Sequence, residues 1–462
     1  MARQKPHMRH HRFTGVSRLA VILILAAFLS SACNTPATSV PTPTSESLAG
    51  APATPAATPT LAPTDATVAP LATPTLSPVT SVTATPAIPA ASERTLLPRS
   101  LYTLSNGQIY RIDVDGAAWS QITNEPAPGI ADFDVSPIDS ALVYTVQLEV
   151  STPQPRTALV TTDGAGQVRR LLIDGMTAST PRWSPDGQWI AFESVAGATA
   201  ANDNGGIMII PATGGEPRII LANDPPPVNP TDNGPRRYFV HSWSPDRTAL
   251  LLWSIPYTGE AGSFVIMPVA AGERLTLRPP AELGPALFDS AFWSGDGASL
   301  LVTFRGGGLG SAIPGLWRAD TRSGDIRQVV PAMLDEQPVV VRTAQTVGDE
   351  LLLLIAQSPA LDPALGSLPS HRLIRLAHDG QIQPVGPDLP GDIWIGDALL
   401  APDGGGVVIE RLTEAGPASL VWIPVATELR LLGLPITADD GTQVVREPAS
   451  STNYGPLRWG GT

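Results

Sequence analysis

The chain from about Arg99 onward predicts an all-β fold. Apolar segments of four to six residues alternate there with turns rich in Gly, Asp and Pro, and long segments with helical periodicity are missing. A unit that is clearest at residues 181–194, with the sequence PRWSPDGQWIAFES, recurs in altered form along this region. The copies are spaced by about 48 to 60 residues, which is typical of a β-propeller whose blades carry loop insertions.

The turn inside each unit has a physical explanation. In Ser-Pro-Asp-Gly, Pro presets the first turn dihedral, Asp bonds to local backbone and Gly accepts a positive φ, so two antiparallel strands are joined tightly. Trp183, Trp243 and Trp293 precede the turn at the same offset, and we expect them to pack between neighbouring blades. The other copies are residues 241–254, 291–304, 400–412 and, more degenerate, 133–146, with a further unit implied at 339–356 around Gly348-Asp349-Glu350.

These units resemble the TolB-type propeller repeat W-S-P-D-G-x-x-I-A-F-x-S, a relative of WD-repeat blades. The resemblance covers most of residues 99–462 and implies a propeller in which the strand before the turn lies innermost. Two copies depart from the pattern, because Arg247 replaces the turn Gly in one and Gly295 replaces Pro in another.

The number of blades follows from counting inner strands. Six inner strands are predicted to start near residues 131, 181, 240, 290, 340 and 393, whereas the first unit, at residues 101–123, lacks one. The last residues, Gly455-Pro456-Leu457-Arg458-Trp459, resemble Pro181-Arg182-Trp183 and have no strand after them. We therefore expect residues 454–460 to pair beside residues 100–104 and to close a single propeller, residues 96–462, of seven blades, with six or eight as alternatives.

The first 32 residues predict a signal peptide. Residues 1–18 are basic and free of acids, and an uninterrupted apolar run from Leu19 to Leu29 precedes Ser30-Ser31-Ala32-Cys33. The end of this segment resembles a bacterial lipobox, although Ser30 stands where such motifs usually carry Leu, Val or Ile. The resemblance implies a lipidated Cys33 that anchors an exported protein to the outer face of the cell membrane. The alternative is an ordinary cleaved signal peptide with an accidental cysteine.

Residues 33–95 predict a disordered tether. Pro, Thr, Ala, Ser and Val dominate this segment, and aromatic residues are absent from it. Such a composition cannot form a packed core and favours extended polyproline II, which acts as a semi-rigid spacer. At roughly 3.1 Å per residue the tether would reach on the order of 190 Å when fully extended.

Charge and cysteine content exclude several classes of function. The formal net charge is −13, and loss of the five basic residues before Cys33 leaves 24 basic against 42 acidic residues, a net charge of −18. Such a protein is a poor nucleic-acid binder. A single cysteine forms no intrachain disulfide and no thiolate metal cluster. The histidines after the signal peptide (His241, His371 and His378) lack metal-ligand spacing, so we predict neither a metal site nor a cofactor.

The longer connections predict a binding face. The turns between the first and second strands of each unit are tight, and so are most turns between the third and fourth strands. The other connections are longer and include residues 195–206, 223–238, 255–262, 305–315, 357–370 and 413–418. In a propeller these long loops share one face, where functional residues are favoured. The candidate ligand-binding residues are Arg236, Arg237, Tyr238, Tyr257 and Arg305, which offer forked donors and aromatic rings for anionic or sugar ligands. The alternative is solvated loop charge and packed tyrosines.

Two functions are compatible with these features. The first is a binding or scaffolding propeller on the cell envelope that recognises a protein, peptide or glycan. The second is an extracytoplasmic hydrolase or lyase that uses carboxylates of the central channel, for which Asp132, Asp289 and Asp392 are the candidates. A Gly-x-Ser-x-Gly nucleophile elbow does not occur, and the sequence identifies no catalytic residue. It makes no prediction of oligomeric state.

Overall fold

We describe the chain from a computed structural model. The described residues are 96–116, 119–149, 156–174, 176–195, 205–229, 234–258, 262–270, 272–306, 311–357, 370–386, 389, 394–413, 416–425, 430–431 and 456–461. The predicted signal peptide, Cys33 and the predicted tether lie outside this range. No helix in the described part of the chain is long and apolar enough to cross a membrane.

The described chain is almost entirely β-structure, with one short 3-10 helix at Ala281–Leu283. Its strands, in chain order, are β1 (Leu101–Ser105), β2 (Gln108–Ile112), β3 (Trp119–Gln121), β4 (Gly129–Val135), β5 (Leu142–Glu149), β6 (Arg156–Thr162), β7 (Arg170–Ile173), β8 (Thr177–Trp183), β9 (Trp189–Val195), β10 (Gly206–Pro211), β11 (Arg218–Ala222), β12 (Arg236–Trp243), β13 (Ala249–Pro256), β14 (Ser263–Pro268), β15 (Leu275–Thr276), β16 (Leu287–Trp293), β17 (Ser299–Arg305), β18 (Ala312–Asp320), β19 (Ile326–Val330), β20 (Met333–Leu334), β21 (Gln337–Val347), β22 (Glu350–Gln357), β23 (Ser370–Leu376), β24 (Ile382–Pro384), β25 (Trp394–Leu400), β26 (Gly406–Thr413), β27 (Gly416–Pro424), β28 (Arg430–Leu431) and β29 (Arg458–Trp459).

The strands form consecutive antiparallel sheets, as the repeats predict. Five separate sheets have four strands each: β29-β1-β2-β3 (blade 1), β4 to β7 (blade 2), β8 to β11 (blade 3), β12 to β15 (blade 4) and β25 to β28 (blade 7). The remaining sheet has nine strands. It contains two further four-stranded antiparallel runs, β16 to β19 (blade 5) and β21 to β24 (blade 6), joined by a single parallel pair, Gly315 with Val340.

Seven hydrophobic clusters connect these units into a ring. Each cluster combines buried side chains from two consecutive blades, and one of them joins blade 7 to blade 1 through Val408, Trp422, Leu101 and Leu457. The sheets therefore pack face to face around a circle, and their apolar faces are buried between neighbours. The prediction of an all-β propeller is confirmed, and the seven interfaces agree with the seven blades expected from the sequence.

The C-terminal strand closes the ring. Within β29, Trp459 pairs with Leu101 and Arg458 with Tyr102. The indole Nε1 of Trp459 donates to the carbonyl of Leu400 at 2.7 Å, and Leu457 is only 1% exposed. Blade 1 is thus built from both ends of the propeller region, as the unpaired last unit predicts.

The inner strands of blades 2 to 7 share a second feature. Each of β4, β8, β12, β16, β21 and β25 has a register shift against its neighbour. A bulge bends the strand and redirects side chains, and bulges are common next to functional sites. In β8 the bulge lies at Thr180 and Pro181.

Candidate functional site

The strand order fixes which connections share an end of the propeller. In blade 3, the hairpin between β8 and β9 contains Ser184 and Gly187, and the opposite end holds Val195, Gly206 and the start of β12 at Arg236. We call these the turn end and the loop end. Every candidate binding residue predicted from the sequence lies at the loop end, at the start of β12 or at the ends of β13 and β17.

Two of these candidates are held by their own blade. Arg236 donates through Nε to the Ser254 hydroxyl at 2.6 Å and through Nη2 to the Ser254 carbonyl at 2.9 Å. Tyr238 is 1% exposed, and its hydroxyl accepts a hydrogen bond from Arg274 at 2.7 Å. Tyr238 also belongs to the hydrophobic cluster between blades 3 and 4. In this conformation both residues contribute packing and internal hydrogen bonds at the base of the loop end.

Arg237 and Tyr257 lie close to each other at the loop end of blade 4. The guanidinium carbon of Arg237 lies 5.3 Å from the centroid of the Phe239 ring and 6.0 Å from that of Tyr257. The Tyr257 hydroxyl donates to the Asp224 carbonyl at 2.7 Å, which fixes its ring at the end of β13. A cation held over aromatic faces keeps its charge and is restricted in orientation. These two residues are the predicted candidates that the structure brings together.

Arg305 lies apart from this pair. It ends β17 in blade 5, where it pairs with Leu287 and Ala312, and it is half-buried. Its place at the loop end agrees with the prediction. Arg305 belongs to blade 5, whereas Arg237 and Tyr257 belong to blade 4, so its part in a common site stays a prediction.

Glu193, on β9, is the ionisable residue that the sequence did not single out. It is 1% exposed, accepts a hydrogen bond from Ser179 through Oε2 at 2.6 Å, and its Oε1 lies 3.7 Å from Nη2 of Arg237. Within the described residues, Oε1 has no hydrogen-bond partner. Burial raises the pKa of Glu193 to about 7, although the Ser179 hydrogen bond and the Arg237 charge oppose this rise.

The backbone beside Glu193 is strained. Thr180 has a φ of 47°, and of the inner-strand bulge residues that the structure describes it alone has a positive φ. A β-branched side chain is disfavoured in this conformation, and such strain persists only where the surroundings enforce it. The hydroxyl of Thr180 is buried without a hydrogen-bond partner in the described structure. Strain and unsatisfied polar atoms thus occur together at the loop end of blade 3.

Asp132, one of the three channel carboxylates predicted as catalytic candidates, is paired with an arginine. Nη1 of Arg182 lies 3.0 Å from Oδ2 of Asp132, and Nε of Arg182 donates to the His241 carbonyl at 3.3 Å. Arg182 therefore connects the inner strands of blades 2, 3 and 4. On the other side of blade 2, Nε of Arg458 lies 3.0 Å from Oδ1 of Asp134. Asp132 and Asp134 are thus both held in ion pairs with arginines of neighbouring blades.

A third arginine, Arg342, connects neighbouring blades elsewhere in the ring. Arg342 of blade 6 donates to the Ile395 carbonyl at 2.8 Å. Burial lowers the pKa of Arg342, and the charges of Asp289 in blade 5 and Asp397 in blade 7 oppose that decrease. Asp289 thus lies in the field of a cation, and Asp392 lies outside the described residues.

Two of the three predicted histidines, His241 and His371, occupy packed positions, whereas His378 is exposed in a turn. His241 is half-buried in the bulge of β12, and its ring meets the Phe264 ring edge-on at 5.3 Å. His371 is 3% exposed, and burial together with the Arg342 charge lowers its pKa to about 4. Among the described residues, no group of three His, Cys, Asp or Glu side chains is arranged to hold a metal ion.

Comparisons with known proteins now give the context of this geometry. The likeness to solved structures is one of fold. No protein-family model matches the sequence, and a comparison with curated proteins finds no match. A structure from work on two prolyl endopeptidases shares 11% identity and a TM-score of 0.48, over 73% of this chain and 50% of that one. An oligogalacturonate lyase from Vibrio parahaemolyticus shares 13% identity and a TM-score of 0.41, over 61% of this chain and 76% of that one.

The β-propeller domain of the Trilobed protease from Pyrococcus furiosus shares 15% identity and a TM-score of 0.35, over 66% of this chain and 97% of that domain. The chain covers about half the length of the peptidases that it matches. A propeller fold by itself does not choose between binding and hydrolysis.

One signal in the sequence could have identified Glu193. It interrupts the apolar strand Ile190-Ala191-Phe192, and a carboxylate within a buried strand requires a partner or a raised pKa. Glu193 lies nine residues after Ser184, the first residue of its turn. The equivalent residue of blade 7, nine residues after Ala401, is Glu410, which is also 1% exposed. The partner of Glu193, Arg237, is supplied by the next blade.

Proposed function

We propose that the chain is an exported, lipid-anchored propeller that binds a protein, peptide or glycan at its loop end, between blades 3 and 4. The observation that carries this proposal is the cluster of Glu193, Arg237 and Tyr257. Burying an ionisable carboxyl next to a strained residue costs stability, and such costs concentrate at functional sites. The cluster lies where the loops of two blades meet, which is the favoured place for binding in this architecture.

The cluster favours an acidic group on the ligand. Below about pH 7 the Glu193 carboxyl is neutral, so it does not balance the positive charge of Arg237. Above this pH the two form an ion pair, and Arg237 is less available to a ligand. The Arg237 guanidinium suits a carboxylate, and the half-buried Tyr257 ring suits an apolar face of a side chain or sugar. We therefore expect acidic peptides or glycans to bind more tightly at pH 6 than at pH 8.

Arrays of acidic and neutral peptides and glycans test this proposal. The full chain is compared at pH 6 and pH 8 with Arg237→Ala and with Arg156→Ala, an exposed arginine at the start of β6 in blade 2 that is paired with Asp174. We expect Arg237→Ala to lose binding at least tenfold and Arg156→Ala to keep it. Because Arg237→Ala leaves Glu193 without its cation, Arg237→Lys serves as a second variant that retains charge but loses the planar fork.

Three results would contradict the proposal. They are an absence of binding on all arrays, equal losses in Arg237→Ala and Arg156→Ala, and binding that is unchanged by Arg237→Ala when its thermal melt shows a folded chain. Tighter binding at pH 8 than at pH 6 would contradict the role of Glu193. The position of the site at the loop end would then be decided by the comparison of Arg237→Ala with Arg156→Ala.

The membrane anchor is the second part of the proposal. A diacylated Cys33 would hold the chain at the outer face of the membrane, and residues 34–95 would separate the propeller from it. Two acyl chains are required physically, because a single chain gives only marginal membrane binding. The sequence of the apolar run, the position of Cys33 and the Pro/Thr-rich segment after it support this arrangement.

An extracytoplasmic hydrolase or lyase is the second candidate, and one observation favours it. A carboxyl with a pKa of about 7 is suited to general acid–base chemistry near neutral pH, and Glu193 has that property. The channel aspartate Asp132 supports this candidate less, because it is paired with Arg182. Ligands found on the arrays are incubated with the full chain and with Glu193→Gln. Product formed by the first and not by the second would favour catalysis over binding alone.

A further inference from the structure

A concave site lies at the turn end, between blades 3 and 4. It has a volume of about 360 Å³ and is lined by Trp189, Trp243, Arg218, Arg247, Asp186 and Gln188, with apolar neighbours. This volume is at the lower limit of the range typical of small-molecule sites. The site is on the opposite face from the loop end, so it is independent of the function proposed above.

Trp189 differs from the residues at the equivalent position of other blades. In five blades the N–H of the first turn residue, Ser184 in blade 3, donates to the carbonyl of the residue five positions later, which makes these positions structurally equivalent. In the other four blades the residue is small (Ala141, Ala249, Ser299 and Gly406). Trp189 is 36% exposed although it is a large aromatic residue. A partly exposed tryptophan in place of a small residue adds an aromatic surface that the equivalent positions of the other blades do without.

Arg247 departs from the repeat at the facing turn. It has a φ of 60°, and the equivalent turn residues in blades 3 and 5 are Gly187 and Gly297, with φ of 67° and 70°. An arginine in the left-handed region costs stability that a glycine would not. Its guanidinium bonds the Asp186 carboxylate of the preceding blade, and its side chain remains 59% exposed. One partner uses only part of its five N–H donors.

The remaining lining residues define the chemistry. The Trp243 ring is 7% exposed, and its Nε1 is used by the Arg182 carbonyl at 3.0 Å, so it offers ring surface and no donor. Arg218 is exposed, and its guanidinium makes no hydrogen bond or ion pair with any residue that the structure describes. Because Asp186 neutralises Arg247, the charge of Arg218 leaves the site with an excess positive charge in an otherwise acidic protein.

We propose that this site binds a ring compound with an apolar face and a carboxylate, of the class of a uronic acid residue or a small aromatic acid. The Trp189 ring would stack on the apolar face, and the Arg218 and Arg247 guanidinium groups would hold the carboxylate. Trp189 stands where four other blades have a small residue, and Arg247, from the next blade, replaces the turn glycine in a left-handed conformation that disfavours it. Their meeting at one concave site is the observation that carries the proposal.

The test is a titration of the full chain, followed by tryptophan fluorescence and calorimetry. The panel contains galacturonic and glucuronic acid, benzoate and indole acetate, and the uncharged glucose and benzyl alcohol as controls. We expect one carboxylate class to bind and its uncharged partner to bind at least tenfold more weakly. Binding by the uronic acids or by the aromatic acids alone identifies the source of the ring, and either result supports the site.

Variants of the two departing residues assign the site. Arg247→Gly restores the repeat, so we expect it to keep or raise the Tm and to weaken binding at least tenfold. Arg247→Lys keeps a charge and should bind between the two. Trp189→Ala should weaken binding and remove the fluorescence change. Arg322→Ala removes an exposed arginine from a turn outside the site and should bind as the unchanged protein does.

The proposal is overturned if no carboxylate of the panel binds, if charged and uncharged partners bind equally, or if Arg247→Gly binds as tightly as the unchanged chain. Equal losses in Arg322→Ala and Arg247→Gly would also overturn it, because they would indicate a general charge effect. None of these results bears on Arg237, so failure here and failure of the loop-end proposal are distinguishable.

Discussion

Replacing Glu193 with Gln tests the electrostatics of the loop end through stability. Gln has nearly the shape of Glu and keeps an acceptor for the Ser179 hydroxyl, but it does not titrate. Glu193 is 1% exposed and its pKa rises from 4.5 to about 7 in the folded chain. The difference in unfolding free energy between the two proteins must therefore change with pH.

The sign and size follow from this pKa. A carboxyl whose pKa is raised by folding stabilises the folded state fully below its unfolded value of 4.5, and this contribution is lost as the pH rises through about 7. The interval between these values, at 1.36 kcal/mol per pH unit, corresponds to about 3 kcal/mol. Relative to Glu193→Gln, the unchanged chain should lose about 3 kcal/mol of unfolding free energy between pH 4 and pH 8.

The assay is chemical denaturation at half-unit steps from pH 4 to pH 8. The pH-independent cost of the substitution cancels when only the change of the difference with pH is used, and other titrating groups cancel because both proteins contain them. Glu350→Gln makes the same change at a carboxylate that is 41% exposed and serves as the control. The unfolding free energy of the unchanged chain minus that of Glu193→Gln should fall as the pH rises. A difference that stays constant or increases with pH would refute the burial argument for Glu193.

Three further predictions concern the core, the ring and the anchor. Folding lowers the pKa of His371 from 6.5 to about 4, so its stabilising contribution is complete above pH 6.5 and is lost as the pH falls through about 4. Between pH 7 and pH 4 the unchanged chain should therefore lose about 3 kcal/mol more unfolding free energy than His371→Gln, as measured by denaturant titration. Deleting residues 453–462 removes Leu457, Trp459 and the Arg458–Asp134 ion pair, and should lower the Tm in calorimetry by about 10 °C or more, whereas an unchanged melt would contradict ring closure. Cys33→Ser should move the protein from the detergent phase to the aqueous phase in a Triton X-114 partition of whole cells, and equal partition of both proteins would argue against the lipid anchor.

The fold was predictable from the sequence because the information is local and repeated. The Ser-Pro-Asp-Gly turn specifies a tight hairpin by its own backbone preferences, and its recurrence defines the blades. Ring closure was predictable because Arg458-Trp459 resembles Arg182-Trp183 and lacks a following strand. The bulges of the inner strands were not predicted, because they depend on register against a neighbouring strand and no residue type marks them.

The site was predictable only in part. Arg237 and Tyr257 were identified because they lie in long connections. In the structure the guanidinium carbon of Arg237 lies 6.0 Å from the centroid of the Tyr257 ring. Tyr238, adjacent in sequence, faces the core between blades, because successive side chains on a strand alternate between its two faces. Glu193 was not identified, because its partner is 44 residues away along the chain and belongs to the next blade. Burial of a carboxyl is a property of this packing.

The most direct test of the loop-end account is hydrogen–deuterium exchange of the full chain with and without the best acidic ligand from the arrays. The account predicts slower exchange in peptides that contain Arg237 and Tyr257, at the loop end of blades 3 and 4. Slower exchange confined to the turn end, around Asp186 and Arg247, or no change in any peptide at a saturating ligand concentration, would contradict it.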